Sequence, residues 1–408
     1  MNFVLTSPQF PKTYWKFAAG LKKNGFNVLG IGDAPYGFIS EELKGILSEY
    51  YYCPGMNDYR ELFKAVAFLS FKHGKIDWIE SNNEYWLEKD AQIRVDFNIS
   101  TGIQTKDIRS YKAKEDMKPF YHEAGVPTAR YHIVDTLENT KAFIEKVGYP
   151  VFVKPNIGVG SNASYKIVDE DGLLKFFATK DNAQYIMEEF IVGTIVSFDG
   201  VANSKSEVVF CASHVFPIPN SDIVNNLDED YYYTLPVVPE DLEKVGRATI
   251  KAFKVKQRFF HLEFFRLSVD KEGLGKKGDI VALEVNMRPA GGYTPEMINY
   301  AQTVNCYQIW ADVMAFDENR QDLSLEKFFC VEAARRDGHQ YLHSHEEVML
   351  KYKDSIVMAD RYPPIINIGM GDQFYIAKFK TLEEVEAFRD FILTRKPAVA
   401  EAVKIAVI

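Results

Sequence analysis

The chain has 408 residues, enough for two to three domains at roughly 150 residues each. Apolar residues make up 47% and charged residues 26%, which is ordinary for a folded globular protein and excludes disorder over most of the length. With 48 Lys and Arg against 57 Asp and Glu the net charge is −9, so no basic excess exists to bind a nucleic-acid backbone, although one small basic pocket is compatible with it.

The N-terminus MNFVLTSPQFPK lacks the basic start of a signal peptide, and no stretch approaches the ~18 apolar residues of a membrane helix. Cys53, Cys211, Cys306 and Cys330 are far apart with no CxxC pair, which fits neither a zinc site nor a disulfide framework; the expectation is a reduced, cytoplasmic protein.

In chain order, Asn2–Thr6 reads as a strand, Tyr14–Lys23 as a helix closed by Asn24-Gly25, and Phe26–Ile31 as a strand. Glu41–Glu49 and Tyr59–His73 read as helices and Ile76–Glu80 as a strand, a βαβα order that predicts an open parallel sheet. Gly30-x-Gly32 lacks the rest of a GxGxxG loop and is not read as a dinucleotide site. Ser110–Ala124 is an amphipathic helix interrupted by Pro119, and Gly125-Val126-Pro127 turns it into extended chain. Thr136–Val147 reads as a helix and Val151–Val153 as a strand. The runs Ile186–Glu189, Ile195–Val201, Glu207–Val215, Phe259–Leu267 and Ile280–Val285 predict a mostly antiparallel sheet, with a helix at Leu242–Phe253. Helices follow near Glu296–Ala301 and Asn305–Ala315. From about Phe328 the tail mixes strands with the helix Thr381–Leu393, N-capped by Thr381; His343 and His345 read as solvated residues of a helix start, with metal binding the alternative.

Four segments carry candidate chemistry. In IVALEVNMR (280–288), period-two alternation puts Glu284, Asn286 and Arg288 on one face and Leu283, Val285 and Met287 on the other. Carboxylate and amide oxygens of this kind suit Mg²⁺. In FFHLEFFRL (259–267), Glu263 is costly to bury unless paired or bound to metal, and His261 beside it reads as a supporting histidine. The plain alternative for both strands is a solvated polar face. In PVFVKPNIGVGSN (150–162), a strand delivers Lys154 to a loop containing Gly158, Gly160 and Ser161, where backbone N–H groups can approach phosphate; the alternative is a structural hairpin. In YIMEEFIVG (185–193), a strand end offers backbone to a purine edge, with Met187 and Ile191 against the ring.

The order of these pieces resembles the ATP-grasp superfamily over about residues 106–301. KEDMKPFYHEAGVPTARY (114–131) and NMRPAGGYTPEM (286–297) most resemble its carboxylate–amine ligase branch. The resemblance implies an α/β and α+β multidomain fold. A Rossmann-like pre-ATP-grasp parallel-sheet domain would span 1–110, the small ATP-grasp subdomain 111–194, the large subdomain 195–327 and an α+β appendage 328–408. It implies that Lys114 and Lys154 touch ATP phosphates, with Lys118 a further candidate, that Gly158, Gly160 and Ser161 form a lid, and that Glu188, Glu189 and Ile191 form the adenine hinge. Glu263, Glu284 and Asn286 would bind Mg²⁺, as two ions, with Mn²⁺ a substitute. Arg288 would neutralise the transferring phosphoryl and the acyl phosphate, and the N–H groups of Gly291 and Gly292 would orient the acid. The family often has a Glu two residues after the hinge glycine; here that position is Ile195. The implied reaction joins a small carboxylate and an amine through an acyl phosphate, with ADP and phosphate released. A carboxylase or purine-pathway ATP-grasp enzyme and a non-catalytic nucleotide-binding module are the alternatives. The expected partners are small molecules, with neither nucleic acid nor membrane, and a homodimer.

Overall fold

The structure is a computed structural model that describes residues 1–158, 163–219, 223 and 227–397. The chain builds three sheets in succession. The first holds β1 (Asn2–Thr6), β2 (Asn27–Gly32), β3 (Glu49–Tyr52) and β4 (Trp78–Glu80), all parallel, in the order β3-β2-β1-β4. Its central strands β1 and β2 are apolar on both faces because helices cover both sides. The helix Tyr59–His73 buries Leu62, Ala65, Val66 and Leu69 at helical spacing, starts on the Asp58 cap and stops at Gly74 with φ +84°.

This agrees with the expected parallel sheet, with two differences. The helix predicted over Glu41–Glu49 ends at Ile46, and Glu49–Tyr52 pairs with β2 as an edge strand, which its three tyrosines favour. A helix at Leu87–Asp96 has no counterpart in the sequence reading. It buries Asp90 and Arg94 beside Leu87, Ala91 and Ile93, so its inward face does not read as apolar.

The second sheet is antiparallel and small: β5 (Tyr131–Ile133), β6 (Val151–Pro155), β7 (Tyr165–Ile167) and β8 (Tyr185–Glu189), in the order β5-β8-β6-β7. Helix Leu137–Val147 connects β5 to β6 and helix Glu170–Thr179 connects β7 to β8, and the core includes Ile144, Val153, Leu173, Phe176 and Met187.

The third sheet contains β9 (Gly193–Ala202), β10 (Val208–Ala212), β11 (His214–Phe216), β12 (Asp230–Thr234), β13 (Arg258–Leu267), β14 (Ile280–Asn286), β15 (Phe329–Arg335), β16 (Ile356–Arg361) and β17 (Gln373–Phe379). Their order is β14-β13-β9-β11-β12-β15-β17-β16, with β10 paired to β9. The strand predicted over Glu207–Val215 is two strands broken at Ser213. On one face Phe198, Phe260, Leu262 and Phe264 pack under the helices Lys114–Glu123 and Glu240–Ala252. Pro119 lies inside the first of these helices without ending it. The tail is continuous with this sheet, because β15 hydrogen-bonds directly to β12. Among the described residues no helix is long and apolar enough to cross a membrane.

Candidate active site

A cleft of about 580 Å³ is lined by residues of the small sheet and of the β13–β14 end of the large one, a size that suits a nucleotide. Lys154 lies buried on β6 and Lys114 on the first turn of the helix Lys114–Glu123. Lys154 Nζ is 2.9 Å from Glu188 Oε2, and Lys114 Nζ is 3.0 Å from Glu284 Oε1. Lys118 also donates to Glu188, although it does not line the cleft. Burial pushes the Glu188 carboxyl up, but Lys118 and Lys154 outweigh it and hold it at about 2. Burial likewise disfavours the Lys154 ammonium, and Glu188 and Glu284 more than restore it. The cleft therefore carries buried cations already matched to carboxylates.

The opposite wall comes from β13 and β14. Glu263 and Glu284 are direct cross-strand partners, and His261 pairs with Asn286. Glu263, Glu284, Asn286 and Arg288 all line the cleft, so the structure brings the expected metal ligands and the arginine together. Among the described residues no group of three or more His, Cys, Asp or Glu forms a metal cage. Two carboxylates and an amide oxygen are nevertheless a donor set that fits Mg²⁺, whose remaining positions are commonly filled by phosphate and water. Burial raises the Glu284 carboxyl, and Lys114 and Lys154 pull it below its ordinary range.

The predicted alternation fails at one residue. The register shifts so that Glu284 faces Glu263 while Ala282 faces Phe264, leaving Leu283 as a bulge. Leu283 is half-buried and lines the cleft instead of joining Val285 and Met287 in the core. The extended chain after Gly125 is tied to this strand by the hydrogen bond from Ala282 N to Pro127 O, at 2.9 Å.

The strand end at β8 differs from expectation in its side chains. Glu189 accepts from Arg130 N at 2.8 Å and Arg130 Nη2 at 2.6 Å, with Lys271 at 3.3 Å. Both hinge carboxylates are thus committed to cations, and Glu188 and Glu189 line the cleft together with Phe190, Ile191, Val192 and Gly193. Met187, expected against a ring, packs in the small sheet's core because it alternates to the helix side. Ile195 lines the cleft. Gly158 does so too, while Gly160 and Ser161 lie outside the described residues.

Gly291 and Gly292 are not among the lining residues. They form the turn into the helix Thr294–Gln302, where Thr294 Oγ1 donates to Gly291 O at 2.6 Å. Gly292 has φ +62°, so its glycine is explained by backbone conformation.

Two features were not found from the sequence. Glu84 reaches from the first sheet to Arg288, with Oε2 at 3.3 Å from Nε and 3.2 Å from Nη2. Burial raises its carboxyl despite the pull of Arg288, and burial of Arg288 is in turn outweighed by Glu84 and Tyr14. The signal available was the polar run Glu80-Ser-Asn-Asn-Glu84 at a strand's carboxyl end, where ligands gather in parallel sheets. The second is Asp199, which links His261 and His214 behind Glu263.

No family model matches the chain. It is 25% identical over 264 residues to the L-arginine-specific L-amino acid ligase of Bacillus subtilis, a match covering 60% of each chain. The chain thus spans about three fifths of the length of that relative. Among solved structures it is similar to an L-amino acid ligase from Bacillus licheniformis, with TM-score 0.70, 15% identity and 95% of both chains covered. It is also similar to the biotin carboxylase domain of Hydrogenobacter thermophilus 2-oxoglutarate carboxylase, a dimer in complex with MgADP, ADP and bicarbonate. That match has TM-score 0.68 and 16% identity, covering 97% of this chain and 90% of that one.

Proposed function

We propose, for a chain that has the ATP-grasp fold, that it is an ADP-forming carboxylate–amine ligase acting on an amino acid or similar small carboxylic acid. The observation that carries this reading is the meeting of Lys114, Lys154, Glu263, Glu284, Asn286 and Arg288 in one cleft with the apolar Ile191 and Ile195. A carboxylate anion repels the γ-phosphate it must attack, so catalysis requires concentrated positive charge at that point. Lys154 supplies it from the small sheet, Lys114 from the start of the helix Lys114–Glu123, and Arg288 from just beyond β14. Glu263, Glu284 and Asn286 would hold the Mg²⁺, as two ions, which offsets phosphate charge when bound. Ile191 and the Phe190–Gly193 backbone would receive the adenine. Arg288 would then stabilise the acyl phosphate until an amine displaces phosphate from it.

The test is phosphate release from ATP across pairs of L-amino acids and other small carboxylates. The expected result is release that needs both an acid and an amine, with an amide as product. It should be abolished in Glu284→Gln and in Arg288→Ala while the far-ultraviolet circular dichroism stays unchanged. Release driven by bicarbonate alone would indicate a carboxylase instead. ATP binding with no release on any pair would indicate a binding module.

A further inference from the structure

Strand register divides the large-sheet wall of the cleft into rows, because side chains two residues apart on a strand share a face and stand ~6.8 Å apart. Gly193 is opposite Leu267 at the hinge, Ile195 opposite Phe265, Ser197 opposite Glu263, and Asp199 opposite His261. Glu284 and Asn286 extend the last two rows onto β14, and Phe216 extends the Ile195 row onto β11. The row Phe216–Ile195–Phe265 therefore stands between the hinge and the carboxylates. All three side chains are half-buried and line the cleft, as does Leu283. β9 is flanked by β11 and β13 at this row, so its backbone groups are engaged in the sheet. Thr194 pairs with Arg266 on the other face and does not line the cleft. Among the described residues, Ser164 and Lys166 line the cleft from the small-sheet side, where Lys166 Nζ lies over the Phe190 ring at 4.3 Å.

This inference rests on the ATP-dependent reading above, in which the base lies by Ile191 and the phosphates by Lys154 and the carboxylate row. The sugar must then cross the row between them. A sugar hydroxyl turned to that row would lose water and gain no hydrogen bond. A site built to hydrogen-bond a hydroxyl rejects the analogue that lacks it strongly, whereas an apolar surface discriminates far less. We propose that the row Phe216–Ile195–Phe265 makes the cleft indifferent to the sugar hydroxyls. The chain then takes adenine nucleotides of ribose and deoxyribose alike, and Ile195, at the centre of the row, sets that specificity.

The test measures dissociation constants of ADP, 2′-deoxyADP and 3′-deoxyADP, each with Mg²⁺, by calorimetry on the wild type, Ile195→Glu and Ile195→Gln. The wild type should bind all three within about threefold of one another. Ile195→Glu places a charged acceptor in the row and should bind both deoxy forms about tenfold or more weakly than ADP, with Ile195→Gln showing a smaller preference. A wild type that itself favours ADP by about tenfold or more overturns the inference, since some group then recognises the hydroxyls. A folded Ile195→Glu with no preference overturns it too, because position 195 then does not face the sugar. Binding needs neither acid nor amine, so these ratios decide the inference even if no acid–amine pair releases phosphate, a result that would contradict the ligase reading instead. Failure to bind any of the three contradicts the nucleotide site and this inference with it. Thermal unfolding without nucleotide identifies a misfolded variant, and the wild-type ratios with the other variant then carry the comparison.

Discussion

Asp199 is fully buried, with Oδ1 at 2.7 Å from His261 Nδ1 and Oδ2 at 3.0 Å from His214 Nδ1, and it also accepts from Ser197 Oγ. The far nitrogen of His261 is 3.0 Å from Glu263 Oε1. Burial would lower the His261 pKa, but Asp199 outweighs it and lifts it to about 9, so the ring is a cation that donates on both sides at neutral pH. The carboxylate fixes the ring and the ring fixes Glu263, as partners behind metal ligands generally do. His261→Leu and Asp199→Asn should each weaken Mn²⁺ binding in the presence of ADP by ~10–100-fold, read by electron paramagnetic resonance of free Mn²⁺. Wild-type affinity in both variants would show that Glu263 holds its place without them.

Between elements, the decisive contact is Glu80 at the end of β4 with Arg258 at the start of β13, at 2.5 and 2.7 Å, while Arg94 closes the other side at 3.0 Å. Arg258 Nε also holds the Met287 carbonyl at 2.6 Å, one residue before Arg288. Burial raises the Glu80 carboxyl, but Arg258 and Arg94 bring it down to about 2 from an ordinary 4.5. Its stabilisation is therefore complete above about pH 4.5 and is lost as pH falls towards 2. Glu80→Gln should cost ~3–5 kcal/mol at neutral pH by urea unfolding, since two guanidinium groups lose their anion in the interior. The difference from wild type should shrink below pH 4.5, and equal stability at neutral pH would contradict this account. Elements of this kind also mark what the sequence could disclose. Strands such as Phe259–Leu267 were readable because a Glu and a His interrupt an apolar run, and the Tyr59–His73 helix because its apolar spacing is uninterrupted. The helix Leu87–Asp96 was hidden because it turns Asp90 and Arg94 inward, and the bulge at Leu283 because it is set by pairing with β13. Glu84 was out of reach for a related reason: it meets Arg288, 204 residues further along the chain, only through tertiary packing.

Across the whole molecule, each sheet supplies a different part of the cleft's surroundings. The small sheet brings Lys154, Glu188 and the hinge backbone, the large sheet brings Glu263, Glu284 and Asn286, and the parallel sheet brings Glu84. The tail braces the turn after Arg288 from a distance: Tyr362 and Tyr232 both donate to the buried Glu332 on β15, and Tyr232 meets Thr294, which holds Gly291. What unites these parts is the claim that a nucleotide and its divalent ion sit between the small sheet and β13–β14. The most direct measurement is a crystal structure of the chain with a non-hydrolysable ATP analogue and Mn²⁺, with the metal located by anomalous scattering. The account predicts a metal peak ~2.0–2.2 Å from oxygens of Glu263, Glu284 and Asn286, with phosphates towards Lys114 and Lys154 and adenine beside Ile191. A nucleotide bound elsewhere, or a metal that none of those three side chains touches, would contradict it.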